Sequence, residues 1–178
     1  MALIKNGQST DDMWTHVTED TSLSAGEALP HSRAVIIPLA RWLPFREAAL
    51  AHDGAIGISV EPDDDLAVLL ADIDCFDMIA VSFPTFKDGR GFSTARLLRE
   101  RHGFRGELRA TGHVLYDQLQ FLSRCGFDAV DLPGHLVPQD WREALGEISV
   151  FYQPTGDGRK DVVRLRHEGN TRYAAAAE

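Results

Sequence analysis

The residues best suited to chemistry lie in one short segment, 83–93, which reads FPTFKDGRGFS. Arg90 offers planar, paired hydrogen bonds to an oxyanion such as sulfite, and the free backbone N–H groups of a following helix also favour anions. Gly89 and Gly91 allow positive φ or close backbone approach. The segment predicts an anion-binding loop. The alternative is a tight structural turn in which Asp88 accepts hydrogen bonds from nearby backbone N–H groups.

Two other predicted strand ends carry polar residues. Thr111 and His113 end the fourth strand, and His135 follows the fifth. Histidine transfers protons near neutral pH, but no nucleophile or paired carboxylate accompanies it, so a surface or capping role is favoured over catalysis. No catalytic residue is assigned. The candidate binding residues are Phe83, Pro84, Phe86, Asp88, Gly89, Arg90, Gly91, Thr111 and His113.

Three aromatic residues, Phe83, Phe86 and Phe92, bracket this loop. If they are exposed, they form a docking patch; if they are buried, they lock the loop to the sheet. Burial is the commoner fate, because each aromatic side chain removes about 150–250 Å² from water.

Basic residues are concentrated from Lys87 to Arg109, where seven cations face three carboxylates. The local charge is +4, which leaves −13 on the rest of a chain whose net charge is −9. Such a patch favours an acidic partner or an anion, with Arg90, Arg96 and Arg99 as the candidate docking residues. The alternative is an ordinary solvated helix face.

The elements that must position these residues alternate between strands and helices. Near-continuous apolar runs predict strands at 34–37, 56–60, 78–81, 108–111 and 129–132. Helical periodicity predicts helices near 44–52, 64–73, 92–102, 114–125 and 138–148. The more polar run 108–111 is expected nearer a sheet edge.

This order predicts an α/β fold of five βα units in an open, doubly wound parallel sheet of the flavodoxin type. Five units are too few for a closed eight-stranded barrel, so half of a TIM-type barrel that closes by dimerising is the alternative. Residues 33–150 form the predicted α/β domain. Because an open sheet leaves unpaired edges, a homodimer is also an expectation.

The two ends differ from this domain. Asn6 and Gly7 predict the turn of a small N-terminal β hairpin or edge pair, which also includes 14–17, within an N-terminal segment and linker spanning 1–32. Residues 151–178 form a C-terminal extension, with partial disorder expected beyond about Glu168.

Composition narrows the functional classes. A net charge of −9 and a pI near 5.2 disfavour nucleic-acid binding. No signal-like N-terminus and no 18-residue apolar run occurs, so we expect a cytoplasmic protein without a membrane segment. Two cysteines without metal spacing, and the lack of a GxGxxG or Walker A sequence, predict no metal site and no cofactor.

From Asp65 to Ile148 the chain resembles a response-regulator receiver domain. Asp77 to Pro84 matches its central strand and Thr111 its switch hydroxyl, so the resemblance implies a flavodoxin-like fold. Ser82 occupies the place of the phosphoacceptor aspartate and Leu132 that of the lysine before proline. Ile37-Pro38 replaces the acidic pair that holds magnesium, so aspartyl phosphorylation is not expected.

A second resemblance covers most of the chain and rests on segments 83–93, 97–99, 106–110, 117–118 and 124–127. The chain resembles an uncharacterised bacterial family, a domain of unknown function whose genes often lie beside that of the assimilatory sulfite or nitrite reductase haemoprotein. The resemblance implies an accessory protein of sulfite reduction that docks on this haemoprotein or its electron donor.

Three functional hypotheses follow. The first is this accessory protein. The second is a small anion-binding enzyme with its site in the 83–93 and 111–113 loops. The third is a phosphorylation-incompetent pseudo-receiver that regulates by protein contact.

Overall fold

The computed structural model describes residues 2–17, 33–132 and 137–175. Eight strands are present in these ranges: β1 (Ala2–Lys5), β2 (Gln8–Thr10), β3 (Thr15–His16), β4 (Ala34–Pro38), β5 (Ala55–Val60), β6 (Met78–Phe83), β7 (Glu107–Gly112) and β8 (Ala129–Leu132). The α-helices are α1 (Trp42–Leu50), α2 (Ala67–Leu70), α3 (Arg90–Arg96), α4 (Leu119–Arg124), α5 (Pro138–Glu147) and α6 (Val162–Ala175). Helix α3 continues as a π-helical turn, Leu97–Arg101, and short 3₁₀ turns occupy Leu39–Arg41, Ile73–Cys75 and Tyr116–Gln118.

The strands form one sheet in the order β2-β1-β8-β7-β6-β5-β4-β3. Strands β3 to β8 run parallel to one another, and β1 is antiparallel to both β8 and β2. Segment 11–14 joins β2 at one edge to β3 at the other. A flat sheet of eight strands separates its edges by about 34 Å, whereas five extended residue steps span at most about 18 Å. The sheet is therefore curled into a half-barrel.

The two faces of this sheet differ in chemistry. The convex face packs against the helices in one large core that includes Ile58, Ile79 and Leu108 from the strands and Trp42 and Trp141 from the helices. The concave face carries a small second cluster of Ile36, Met78 and Ala80, against which Trp14 packs. Helices therefore cover only one face.

This architecture decides between the two predicted folds. A mixed α/β fold with a mostly parallel sheet is present, but the doubly wound, flavodoxin-like arrangement is not confirmed. The parallel strands follow one another in chain order, so the sheet has no reversal point, and right-handed crossovers place successive helices on the same face. The half-barrel alternative fits.

The prediction that residues 108–111 lie near an edge is wrong. Strand β7 pairs with β6 on one side and β8 on the other. Its polar side chains point to the concave face of the sheet, where they find partners within the protein. Arg109 is 1% exposed and forms ion pairs on the concave side.

The N-terminal hairpin is present, with Asn6 at φ 52° and Gly7 at φ 76° in its turn. Both values suit the type I′ turn that joins short hairpins. Residues Thr15–His16 are separate from it and pair with β4 at the opposite edge. The predicted linker 18–32 and His135 lie outside the described residues.

The C-terminal extension is held against the domain by Arg124. This side chain is 5% exposed, donates to Asp157 at 2.9 Å and to the carbonyl of Gln153 at 2.8 Å, and stacks on Phe151 at 3.7 Å. Helix α6 follows and includes part of the region where a partly disordered tail was predicted. Within the described ranges, no helix is long and apolar enough to span a membrane.

Candidate functional site

The loop after β6 is fixed to the sheet by Phe83. This side chain is 1% exposed and packs edge-on against Phe92 at a centroid distance of 5.1 Å. Gly91 lies in the first turn of α3, directly over the Phe83 ring, where a Cβ would lie 2.6 Å from the nearest ring carbon. Gly91 therefore serves close packing, and neither it nor Gly89, at φ −88°, uses a positive φ.

Phe86 differs from its two aromatic neighbours because it projects from the loop and is 55% exposed. The ammonium group of Lys87 lies 5.7 Å from its ring centroid. The Phe86 backbone is held in place by Gln118, whose side-chain amide donates a hydrogen bond of 3.2 Å to the Phe86 carbonyl oxygen. Pro84 is exposed beside it. The loop thus presents an aromatic ring and a cation on a fixed backbone.

Arg90 clamps the far end of this loop to the loop after β5. Its guanidinium donates to both oxygens of Asp88 and to Asp63, and it also reaches the carbonyl of Pro62. The Arg90 side chain and its backbone N–H hold the pKa of Asp88 below its usual value. The same ion pairs raise the pKa of Arg90. An oxyanion at Arg90 must therefore compete with two carboxylates already in place.

Thr111 and His113 lie on the neighbouring strand end but do not join this clamp. Among the described residues, the Thr111 hydroxyl makes one long bond, of 3.4 Å, to the carbonyl of Val81. His113 is exposed, and its backbone N–H donates to the Phe83 carbonyl at 2.7 Å. Between them Gly112 has φ 91°, and a Cβ there would lie 2.5 Å from the same carbonyl oxygen. The two strand ends are tied by backbone rather than by a shared side-chain site.

The basic residues predicted for docking have unequal surroundings. Arg96 pairs with Glu100 at 2.8 Å on the surface of its helix. Arg99 is 19% exposed and donates to the carbonyls of Phe104, Gly106 and Gly126 and to Asp128. Burial lowers the pKa of Arg99, although Asp128 opposes this effect. Arg99 therefore connects two loops of the fold, 102–106 and 125–128, instead of offering a free charge.

Within the basic segment 87–109, the exposed cations that remain for a partner are Lys87, Arg101 and Arg105. Within the described ranges, Arg101 and Arg105 form no ion pair. The sequence shows seven basic residues without separating the paired from the unpaired ones, because the partners Asp63, Asp128 and Asp12 lie far along the chain.

Among the described residues, no group of three or more His, Cys, Asp or Glu side chains is arranged to hold a metal ion.

Comparison with known proteins assigns the chain to a family. The family described as "Bacterial protein of unknown function (DUF934)" matches residues 57–163, and the chain belongs to it. The matched segment includes β6 to β8, the Phe86 loop and the Arg90 clamp. No curated protein matches the chain.

Proposed function

We propose that this member of the bacterial family is an accessory docking protein of assimilatory sulfite reduction, which binds the sulfite/nitrite reductase haemoprotein or its electron donor. The proposal rests on one structural observation: Phe86 stands exposed on a backbone that is fixed at both ends of its loop. Large aromatic side chains are the commonest anchors of protein interfaces.

Because the loop is already ordered, binding of a partner to the exposed ring costs less conformational entropy. A partner that docks on a mobile loop must order it, and this lowers the affinity. Here the Arg90 clamp and the bond from Gln118 have already ordered the segment. An aromatic ring kept in water by such a loop is typical of an interaction surface.

The identity of the partner is supported by the sequence resemblance and by charge. Genes of the family that the chain resembles often lie beside that of the sulfite or nitrite reductase haemoprotein. Lys87, Arg101 and Arg105 give an otherwise acidic chain exposed positive charge, which attracts an acidic partner surface and speeds association.

The anion-binding enzyme is the second hypothesis to be tested. Arg90 is the residue on which it depends, and its donors are occupied by Asp88 and Asp63. The pseudo-receiver is the third, and it differs from the first only in the class of partner. In the experiment, the anion-binding enzyme predicts a response to sulfite, whereas the pseudo-receiver predicts no response to an anion and no binding to either protein of sulfite reduction.

The experiment measures binding of the purified chain to the purified sulfite reductase haemoprotein and, separately, to its electron donor, by calorimetry. Phe86→Ala is the test variant, and Tyr152→Ala is the matched control because Tyr152 is 87% exposed elsewhere on the surface. We expect one of the two proteins to bind, with a loss of roughly thirtyfold or more for Phe86→Ala, equivalent to about 2 kcal/mol, and no loss for the control.

Failure of both proteins to bind the wild-type chain would refute the proposal. Equal loss in the two variants would refute the assignment of the Phe86 loop. A thermal stabilisation by sulfite that disappears in Arg90→Ala would favour the anion-binding enzyme instead.

A further inference from the structure

The carboxyl-terminal half of the concave face carries a row of polar side chains on three adjacent strands. Ser82 on β6 is in register with Thr111 on β7. Asp131 on β8 follows Ala129, the partner of Arg109, by two residues and therefore lies beside Thr111. Trp14 fills only the other half of this face, where it packs on Ile36, Met78 and Ala80.

The hydrogen-bonding capacity of this row is largely unused. Within the described residues, the Ser82 hydroxyl has no hydrogen-bond partner, and the Thr111 hydroxyl has only its 3.4 Å contact with Val81. In the described part of the chain, the one fully buried side-chain atom without a partner is Nε2 of His52. Among the described residues, the Ser82 hydroxyl is therefore not fully buried.

Among the described residues, Asp131 has the longest ion pair of the three carboxylates around Arg109. Arg109 donates to Asp12 and to Glu107, each at 3.0 Å, and Lys5 pairs with Glu107 at 2.6 Å. Asp131 is 3.8 Å from the Arg109 guanidinium and only 18% exposed. Arg109 thus pairs more closely with Asp12 and Glu107 than with Asp131.

The pKa of Asp131 agrees with this weak pairing. Burial raises its pKa, and the nearby carboxylates of Asp12 and Glu107 act in the same direction, against the opposing charges of Arg109 and His16. A cation placed above Asp131 would stabilise its charged form and offset the cost of burying that charge, whereas an anion would destabilise it further.

We propose that the concave face at Ser82, Thr111 and Asp131 binds a small ammonium-bearing ligand. Asp131 is the counter-ion of the ammonium group and accepts its N–H bonds. The two hydroxyls accept further N–H bonds or bond to a hydroxyl of the ligand. The site lies on the sheet surface and is separate from the Phe86 loop, so it does not depend on the docking function proposed above.

The test is an NMR titration of the full chain with ethanolamine, which carries both an ammonium and a hydroxyl group. Ethylene glycol is the neutral control and sulfate the anionic one. We expect ethanolamine to shift the backbone amide signals of Ser82, Thr111 and Asp131, and to lower the pKa of Asp131 measured from its side-chain ¹³C signal. In Asp131→Asn the apparent Kd should rise at least tenfold.

The variant Ser82→Ala provides a second measurement should Asp131→Asn not fold, and it should weaken binding about threefold or more. The proposal would be overturned by equal binding to Asp131→Asn or Ser82→Ala, or by sulfate shifting the same signals. It would also be overturned if ethanolamine had no effect up to roughly 0.1 M, where a millimolar site is saturated.

Discussion

Asp12 and Arg109 are 97 residues apart in the chain and form an ion pair of 3.0 Å across the concave face of the half-barrel. Arg109 is 1% exposed, and Asp12 reaches it from the segment that joins β2 to β3. A buried guanidinium needs acceptors for its N–H groups, and Asp12 supplies one that no strand provides. This pair fastens the N-terminal segment over the sheet.

Replacing Asp12 by Ala should therefore destabilise the protein, because it removes an acceptor from a buried guanidinium. We expect a loss of about 1–3 kcal/mol in the free energy of unfolding, measured by urea denaturation. Amide hydrogen exchange should accelerate at 12–14. Asp11→Ala is the control, since Asp11 is exposed and forms no ion pair among the described residues; an equal effect there would contradict the assignment.

Replacing Arg99 by Ala should be among the most destabilising changes to a surface arginine in this chain. Three backbone carbonyls and Asp128 would lose their donor, and we expect a loss of about 2–4 kcal/mol. Arg101→Ala, two residues away and exposed, should change stability by less than about 0.5 kcal/mol. Urea denaturation of both variants measures the difference, and similar values would show that Arg99 has no structural role.

Replacing Gly91 by Ala should displace the Phe83 ring. The added Cβ would lie 2.6 Å from a ring carbon, and overpacking of this kind costs about 1–3 kcal/mol. Gly89→Ala meets nothing nearer than 3.8 Å and has an ordinary φ, so it is the matched control. Thermal unfolding should show a lower Tm for Gly91→Ala alone.

The two cysteines should react at very different rates. Burial raises the pKa of the Cys125 thiol to about 11, whereas Cys75 is exposed. Iodoacetamide at pH 8 should therefore alkylate Cys75 in the folded protein and Cys125 only after unfolding, as followed by peptide mass spectrometry. Rapid alkylation of Cys125 in the native state would contradict its burial.

The stability contributed by Asp72 should depend on pH. Hydrogen bonds from Arg46 and from the indole of Trp42 hold the pKa of Asp72 below its ordinary value of 3.8. A carboxylate whose folded pKa is lowered stabilises the fold above the ordinary value, and this contribution disappears as the pH falls below 3.8 through the folded value.

The free energy of unfolding of wild type and Asp72→Asn, measured in urea from pH 7 downwards, tests this dependence. The gap between the two proteins should narrow below about pH 3.8. A gap that stays constant over that range would show that the charge of Asp72 does not contribute.

The sequence predicted the elements well and their arrangement poorly. Among the described elements, hydrophobic periodicity located five of the six parallel strands and five of the six α-helices, because that pattern is a local property. The choice between a doubly wound sheet and a half-barrel depends on which strands are neighbours, which local pattern does not record. The Asn6-Gly7 turn was predictable because a type I′ turn favours those two residues, whereas the pairing of Thr15–His16 with β4 was not.

The misplacement of β7 at a sheet edge has the same origin. Polar residues in a strand usually indicate a solvent-exposed position. Arg109 is instead buried on the concave face, where it forms ion pairs with Asp12 and Glu107. For the candidate site, the sequence identified the Phe86 loop and the Asp88–Arg90 turn from neighbouring residues. It missed Asp63, the second carboxylate of the clamp, because only the pairing of β5 with β6 brings it near.

The position of the N-terminal hairpin also has a consequence for synthesis of the chain. Strand β1 pairs with β8, so residues 2–5 find their partners at 129–132, near the end of the parallel series. On a ribosome, β1 and β2 therefore emerge long before β8 exists, and their edges stay unpaired during that interval. Contacts of such sequence separation slow folding and leave strand edges open to aggregation. The hairpin can therefore join the sheet only after β8 has been made.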